Sequence, residues 1–203
     1  MIPPGVANYP NMAALDFKPL PYPARIAKAR ALMRQMGYGP QHRLHLVYAT
    51  STNPDQRRSA AVIQQMFRAI YVDMTISSVE IAQHLARMQS HDFDIANASW
   101  IADFNVASYF LDLLRTGGDN NYGSYSNPKF DALMDKAQQT ADLAERGRLM
   151  EEAEQLALND YAWLPCYFLL TMDIVQPWVK GWVPNIRGFN RTRWLRVEGR
   201  PRE

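Results

Sequence analysis

One segment of the 203-residue chain places an acidic side chain and a large aromatic side chain just after a run of apolar residues. Residues 93–100 have the composition of a buried strand, and Asp103 follows closely after them. A carboxylate beyond a strand end can form charge-assisted hydrogen bonds with a ligand ammonium group. The indole of Trp100 can form the adjacent pocket wall or stack on the ligand. This segment therefore predicts a site that holds a cationic group.

Asp103 also has other interpretations. Aspartate is a preferred N-cap residue, and a helix is expected to begin near Val106, so Asp103 could serve as its cap. Spacing alone does not distinguish the ligand-binding interpretation from the helix cap. An enzyme that uses Asp103 as an acid or base is a third interpretation, and it requires a His, Lys or Glu partner nearby in space.

The sequence contains none of the common catalytic or phosphate-binding motifs. It has no Gly-x-Ser-x-Gly, no glycine-rich loop ending in Lys-Ser/Thr, and no His-Glu-x-x-His. His42 and His45 lie near a strand start with a spacing that places them on opposite faces, so we expect two surface residues and no metal site. The carboxylates of Glu151, Glu152 and Glu154 are expected on the solvent-facing side of a helix. No cofactor is predicted.

The single cysteine and the charge distribution narrow the possible functions further. Cys166 is the single cysteine of the sequence, which rules out an internal disulfide bond, and we expect it to be a buried, unreactive side chain. The net charge of +2 gives only weak general attraction to nucleic acid. Six arginines lie between Arg187 and Arg202, but Trp194 and Val197 are interleaved with them. This pattern favours a strand with one solvated face over a nucleic-acid-binding tail.

Hydrophobic periodicity predicts alternating strands and helices between a proline-rich connector, residues 1–23, and Asp160. The apolar faces of the first and last helices are expected to include Leu32, Met36 and Leu143. Beyond Asp160, short strands and turns are expected. The alternation is typical of an α/β sheet covered by helices, on which ligands bind at strand ends. The predicted strands cover residues 44–48, 72–79 and 93–100, and the predicted helices cover residues 24–36, 54–70, 80–89, 110–114, 128–138 and 142–158.

Four short segments occur in a characteristic order along the chain: Trp100-Ile101-Ala102-Asp103, residues 122–131, residues 164–167 and residues 175–181. In this order and spacing they resemble the bacterial extracellular solute-binding proteins of family 5, the oligopeptide- and dipeptide-binding proteins of ABC transporters. The resemblance covers nearly the entire chain. It corresponds to the later part of such proteins only.

The resemblance implies an α/β fold of the periplasmic-binding-protein type II class. Residues 1–164 are expected to form the second, C-terminal ligand-binding lobe, a mixed sheet flanked by helices and preceded by the proline-rich lead-in. Residues 165–203 are expected to cross and return into the first lobe. That first lobe and a signal peptide are expected in a preceding part of the protein.

The resemblance also implies capture of a peptide or related small solute in the periplasm, with permease subunits as partners and without catalysis. In peptide-binding members the Asp matching Asp103 pairs with the peptide α-amino group, and the strand matching residues 99–101 binds the peptide backbone. Asn97 stands where some oligopeptide binders have an Arg that meets the peptide carboxylate, so the ligand class stays open. A non-transporting interaction domain is a further alternative. The predicted ligand-binding residues are Asp103, Trp100, Ile101, Ser99 and Asn97.

Overall fold

A computed structural model describes residues 1–170, 172–185 and 188–200, which form two compact units. The first unit is Met1–Leu164 and the second is Pro165–Glu203. The division lies at the residue where we expected the chain to leave its lobe, and the assignment of the two parts to two lobes stays a prediction. Arg187 and Arg202, from the predicted arginine-rich strand, lie outside the described residues.

The elements of the first unit follow the predicted order. Its strands are β1 (Leu44–Ser51), β2 (Val72–Val79) and β3 (Ile95–Ala96), and β2 has the predicted bounds. Among the described residues, no helix is long and apolar enough to cross a membrane. The helices are α1 (Tyr22–Gln35), α2 (Pro54–Arg68), α3 (Ile81–Gln89), α4 (Ser108–Leu111), continued by a 3-10 turn, α5 (Pro128–Gln139) and α6 (Leu143–Asn159).

The strands of the first unit form a parallel sheet in the order β2-β1-β3. The predicted α/β class is thus confirmed, and an antiparallel strand pair occurs in the second unit. Strand β3 is much shorter than the predicted residues 93–100. Only Ile95 and Ala96 pair with β1, and the chain leaves the sheet after Asn97, whose N–H donates to the Ala49 carbonyl at 2.8 Å. The largely apolar composition of residues 93–100 was a misleading sign of a buried strand over the whole range, because Ala98 and Ser99 are exposed.

One core lies between the sheet and helices α1 and α2. Tyr48, Val72 and Met74 of the strands pack there with Ala60 of α2. Helix α1 touches this core with Met33, but it has no fully buried residue. Leu32 and Met36 are exposed, contrary to the sequence prediction, because only a narrow stripe of α1 faces the core.

A second core joins α4, α5 and α6. Its fully buried side chains include Phe130 of α5 and Ala153 of α6, whereas Leu143 at the start of α6 is exposed, contrary to prediction. Residues 1–14, which we call the N-terminal strap, pack against α6. Ile2 is buried in this core, so the strap is part of the fold and more than the connector predicted from its prolines.

The strap also buries an acidic residue of α6. Glu154 is 1% exposed and accepts hydrogen bonds from the Ile2 N–H at 3.0 Å and from the Tyr9 hydroxyl. The prediction that Glu154 faces solvent is therefore wrong, although Glu152 on the same helix is exposed. The helical pattern could not show this, since the covering residues come from a segment distant in the sequence. Burial and the contact with Glu154 raise the pKa of Tyr9.

The second unit contains the short strands and turns that the sequence predicted. Strand β4 (Val179–Lys180) pairs antiparallel with β5 (Arg196–Val197), and Thr192–Trp194 forms a 3-10 turn. Of the described residues in the predicted strand with one solvated face, Arg196 and Val197 form β5, and Trp194 and Val197 are both exposed in this unit. Cys166 is exposed, contrary to prediction, although neighbouring atoms desolvate its thiol enough to raise the pKa.

Candidate functional site

The candidate site lies beyond the carboxyl ends of the parallel strands. Strands β1 and β2 end together, since Ser51 pairs with Val79, and β3 ends beside Ala49. Residues 97–106 run from the end of β3 toward α4 without regular secondary structure. In open α/β sheets this edge is where ligands bind, because loops there combine side chains from several strands.

Asp103 is an exposed carboxylate in this segment. The Tyr109 hydroxyl donates a hydrogen bond to Oδ2 of Asp103 at 2.7 Å, and this bond is the main reason why the pKa of Tyr109 is raised. The N-cap of α4 is Ala107, and no side chain caps that helix. The interpretation of Asp103 as the N-cap of this helix is therefore wrong. Its described hydrogen bond holds the carboxylate against an aromatic residue at the start of α4.

An aromatic cluster lies beside this carboxylate and is centred on Tyr109, which donates to it. The ring of Trp100 lies 5.9 Å from that of Tyr109 at an interplanar angle of 37°, and Phe104 meets Tyr109 edge-on at the same distance. Trp100 is half-buried, and its indole nitrogen is buried without a hydrogen-bond partner among the described residues. Phe104 is exposed. The arrangement places one negative charge beside apolar surface, which suits an organic cation better than a small hydrated ion.

The other predicted ligand-binding residues lie on the same segment but in different environments. Ser99 and Ile101 are exposed, so their backbone groups are open to a ligand. Asn97 is half-buried, and its Nδ2 donates to the Tyr48 hydroxyl at 3.2 Å. Asn97 is thereby held at the end of β1. No group of three or more metal-ligating side chains occurs among residues 1–170, 172–185 and 188–200.

Sequence reasoning missed three residues of this region. Tyr109 contacts both Trp100 and Asp103, and Phe104 contacts Tyr109, only because the segment folds back before α4, and no periodic pattern marks that fold. His84 of α3 lies behind the segment, with Nε2 at 2.7 Å from the Asn97 carbonyl oxygen. Its spacing of one helical turn from Met88 was the available signal, since both side chains are buried on one face of α3.

With this geometry established, comparison with known proteins shows the family. Residues 1–122 match the bacterial extracellular solute-binding proteins, family 5, in the middle part of that family. The chain belongs to this family. Its relatives are solute-binding proteins and not enzymes.

Curated relatives and solved structures extend the similarity to most of the chain. It is 26% identical to the probable deoxycholate-binding periplasmic protein YgiS of Escherichia coli over 89% of this chain and 34% of the relative. It is 26% identical to the periplasmic murein peptide-binding protein MppA of the same organism over 83% of this chain and 32% of the relative. The structure of OppA from Burkholderia pseudomallei superposes with a TM-score of 0.83 at 27% identity, over 97% of this chain and 39% of that protein. The chain thus spans about a third of the length of these relatives.

Proposed function

We propose that this chain forms one wall of the ligand cleft of a periplasmic solute-binding protein, which captures peptides for import by an ABC transporter. The observation that carries the proposal is the exposed Asp103 at the carboxyl edge of the sheet, bonded to Tyr109 and flanked by Trp100. A peptide α-ammonium group beside Asp103 gains a charge-assisted hydrogen bond, which is stronger than a bond between neutral groups.

The exposed residues beside Asp103 support recognition of a peptide main chain. The backbone N–H and C=O groups of Ser99 and Ile101 lie outside the regular sheet. The last described hydrogen bond between this segment and β1 is the one from the Asn97 N–H to the Ala49 carbonyl. An extended peptide can pair with such groups as an added strand, while its side chains remain unspecified. Asp103 then fixes the register of the bound peptide by holding the peptide's N-terminal ammonium group. Binding and release, without a chemical step, are sufficient for this role.

The relatives leave two ligand chemistries to compare, since one is named for deoxycholate and another for a murein peptide. Deoxycholate is an anion at neutral pH, and an exposed carboxylate at Asp103 repels it. A ligand with a free ammonium group is attracted by the same carboxylate. The charge of Asp103 therefore favours a peptide over a bile acid.

A complete cleft requires a second wall, which we propose is a further lobe of the same protein. Residues of the second unit support this proposal, because Leu170, Met172 and Ile174 are each about 90% exposed. Apolar side chains exposed in this number mark a surface that is covered by another protein surface. We propose that residues 165–203 pack on that lobe and that permease subunits receive the closed, loaded protein.

Native mass spectrometry of the two-lobed protein purified from its own host tests this function. We expect a mixture of peptides with free N-termini to co-purify. Recovery of an anionic lipid or bile acid instead, of a chemically altered product, or of only a stable protein partner would contradict peptide capture. The 203-residue chain alone should bind the recovered peptides more weakly than micromolar in calorimetry, because only one wall can exclude water.

A further inference from the structure

A buried histidine lies directly behind the candidate site. His84 of α3 is 1% exposed, and its Nε2 lies 2.7 Å from the carbonyl oxygen of Asn97. A carbonyl can only accept, so Nε2 carries the proton and donates. Nδ1 is buried and has no hydrogen-bond partner among the described residues.

The residue that His84 contacts is held by two further hydrogen bonds. The N–H of Asn97 donates to the Ala49 carbonyl at 2.8 Å, and its side-chain Nδ2 donates to the Tyr48 hydroxyl at 3.2 Å. Asn97 is thus fixed through its amide, its carbonyl and its side chain. After Asn97 the chain has no regular secondary structure until α4. The orientation of this one residue sets the direction in which the segment toward Asp103 leaves the sheet.

A packing role alone does not account for a histidine at this position. An apolar side chain of similar size would fill the same space without leaving Nδ1 buried and unpartnered, which is unfavourable. What histidine adds is a donor aimed at the Asn97 carbonyl. Met88, on the same buried face of α3, supplies packing without any such donor.

We propose that His84 is a positioning residue of the ligand site, which fixes the Asn97 carbonyl and thereby the exposed segment from Ser99 to Asp103. The effect of His84 on ligand affinity rests on the proposed function. Its effect on the conformation of the segment from Ser99 to Asp103 can be measured in this chain without a ligand. The two effects can therefore be measured separately.

Amide hydrogen exchange of the 203-residue chain tests the positioning without any ligand. His84→Leu removes the donor, whereas His84→Gln places an amide N–H at the position of Nε2. We expect the Asn97 amide, which is bonded to the Ala49 carbonyl, to exchange about five- to tenfold faster in the Leu variant, which corresponds to the loss of one hydrogen bond. In the Gln variant it should exchange at nearly the wild-type rate. The amides between β1 and β2 should be unchanged in both.

Met88→Ala is the matched control, because it weakens the packing of the same helix face and leaves the bond to Asn97 intact. It should lower the melting temperature without selectively accelerating exchange at Asn97. Equal exchange of the Asn97 amide in the Leu, Gln and Met88→Ala variants would show that His84 only fills space. Unchanged exchange in His84→Leu would overturn the proposal as well.

Binding of trialanine to the two-lobed protein then measures the consequence for the ligand. We expect about tenfold weaker binding by His84→Leu and recovery to within about twofold in His84→Gln. If wild type does not bind trialanine, peptide capture fails for this probe, while hydrogen exchange still decides the role of His84. If both variants bind as wild type does, the positioning has no effect on the ligand and the proposal is wrong.

Discussion

Replacement of Gly147 by alanine should destabilise the protein, although the same change usually stabilises a helix. Gly147 lies inside α6, where alanine is favoured over glycine by about 1 kcal/mol. A Cβ at this position would lie 2.1 Å from the backbone carbonyl oxygen of Asn8 in the N-terminal strap. That separation is far below a van der Waals contact, and a backbone group cannot rotate away as a side chain can.

The size of the effect follows from what the strap must do to accommodate the methyl group. Overpacking of this kind costs about 1–3 kcal/mol. If the strap detaches instead, the buried side chain of Ile2 is exposed, which costs about 1.5–3 kcal/mol. Subtracting the helix-propensity gain of about 1 kcal/mol leaves a net loss of up to about 2 kcal/mol in the free energy of unfolding.

Urea unfolding followed by far-UV circular dichroism measures this difference. Ala144→Gly provides the control, because Ala144 is exposed in the first turn of the same helix and its replacement should cost at most about 1 kcal/mol, from propensity alone. Hydrogen exchange at the Ile2 amide should accelerate in Gly147→Ala and not in Ala144→Gly. A higher unfolding midpoint for Gly147→Ala would refute the packing of the strap on α6.

Further substitutions and one labelling reaction test other features of the structure. Tyr9→Phe removes a donor from the buried carboxylate of Glu154 and should cost about 1–3 kcal/mol in urea unfolding; an unchanged midpoint would argue against that contact. Phe130→Ala should cost about 3–5 kcal/mol because Phe130 is fully buried, whereas Phe104→Ala should stay within about 0.5 kcal/mol; similar losses in both would contradict the assigned core. Cys166 should react with a disulfide reagent without denaturant, since it is exposed. Because its pKa is raised, less thiolate is present at neutral pH, so the reaction should be slow there and accelerate through the alkaline range; a requirement for urea would contradict the exposure.

The order of helices and strands was predictable because each element carries its own periodicity. Strand β2 has its predicted bounds, and α5 begins at the predicted Pro128 behind its Asn127 cap. The length of β3 was not predictable, since it depends on where the chain leaves its neighbour β1. The burial of Glu154 was not predictable either, because the strap that covers it is distant in the sequence.

The candidate site was only partly predictable, because some of its contacts join residues that belong to different elements of the fold. The segment with Trp100 and Asp103 stands out by residue type alone. Its neighbours Tyr109 and His84 are brought to it by a turn without regular structure and by the packing of α3. These contacts carry no short-range sequence signal. They decide how Asp103 and the backbone before it are held.

The most direct test of peptide capture compares a peptide with a free N-terminus and its acetylated form, each binding to wild type and to Asp103→Asn of the two-lobed protein. Asparagine keeps the shape and can still accept the Tyr109 hydrogen bond, but it removes the charge. Isothermal calorimetry should show that acetylation weakens wild type about ten- to hundredfold, the loss expected for a charge-assisted contact of about 1.5–3 kcal/mol. It should weaken the Asn variant hardly at all. Equal sensitivity of the two proteins to acetylation would show that Asp103 does not bind the ligand ammonium group.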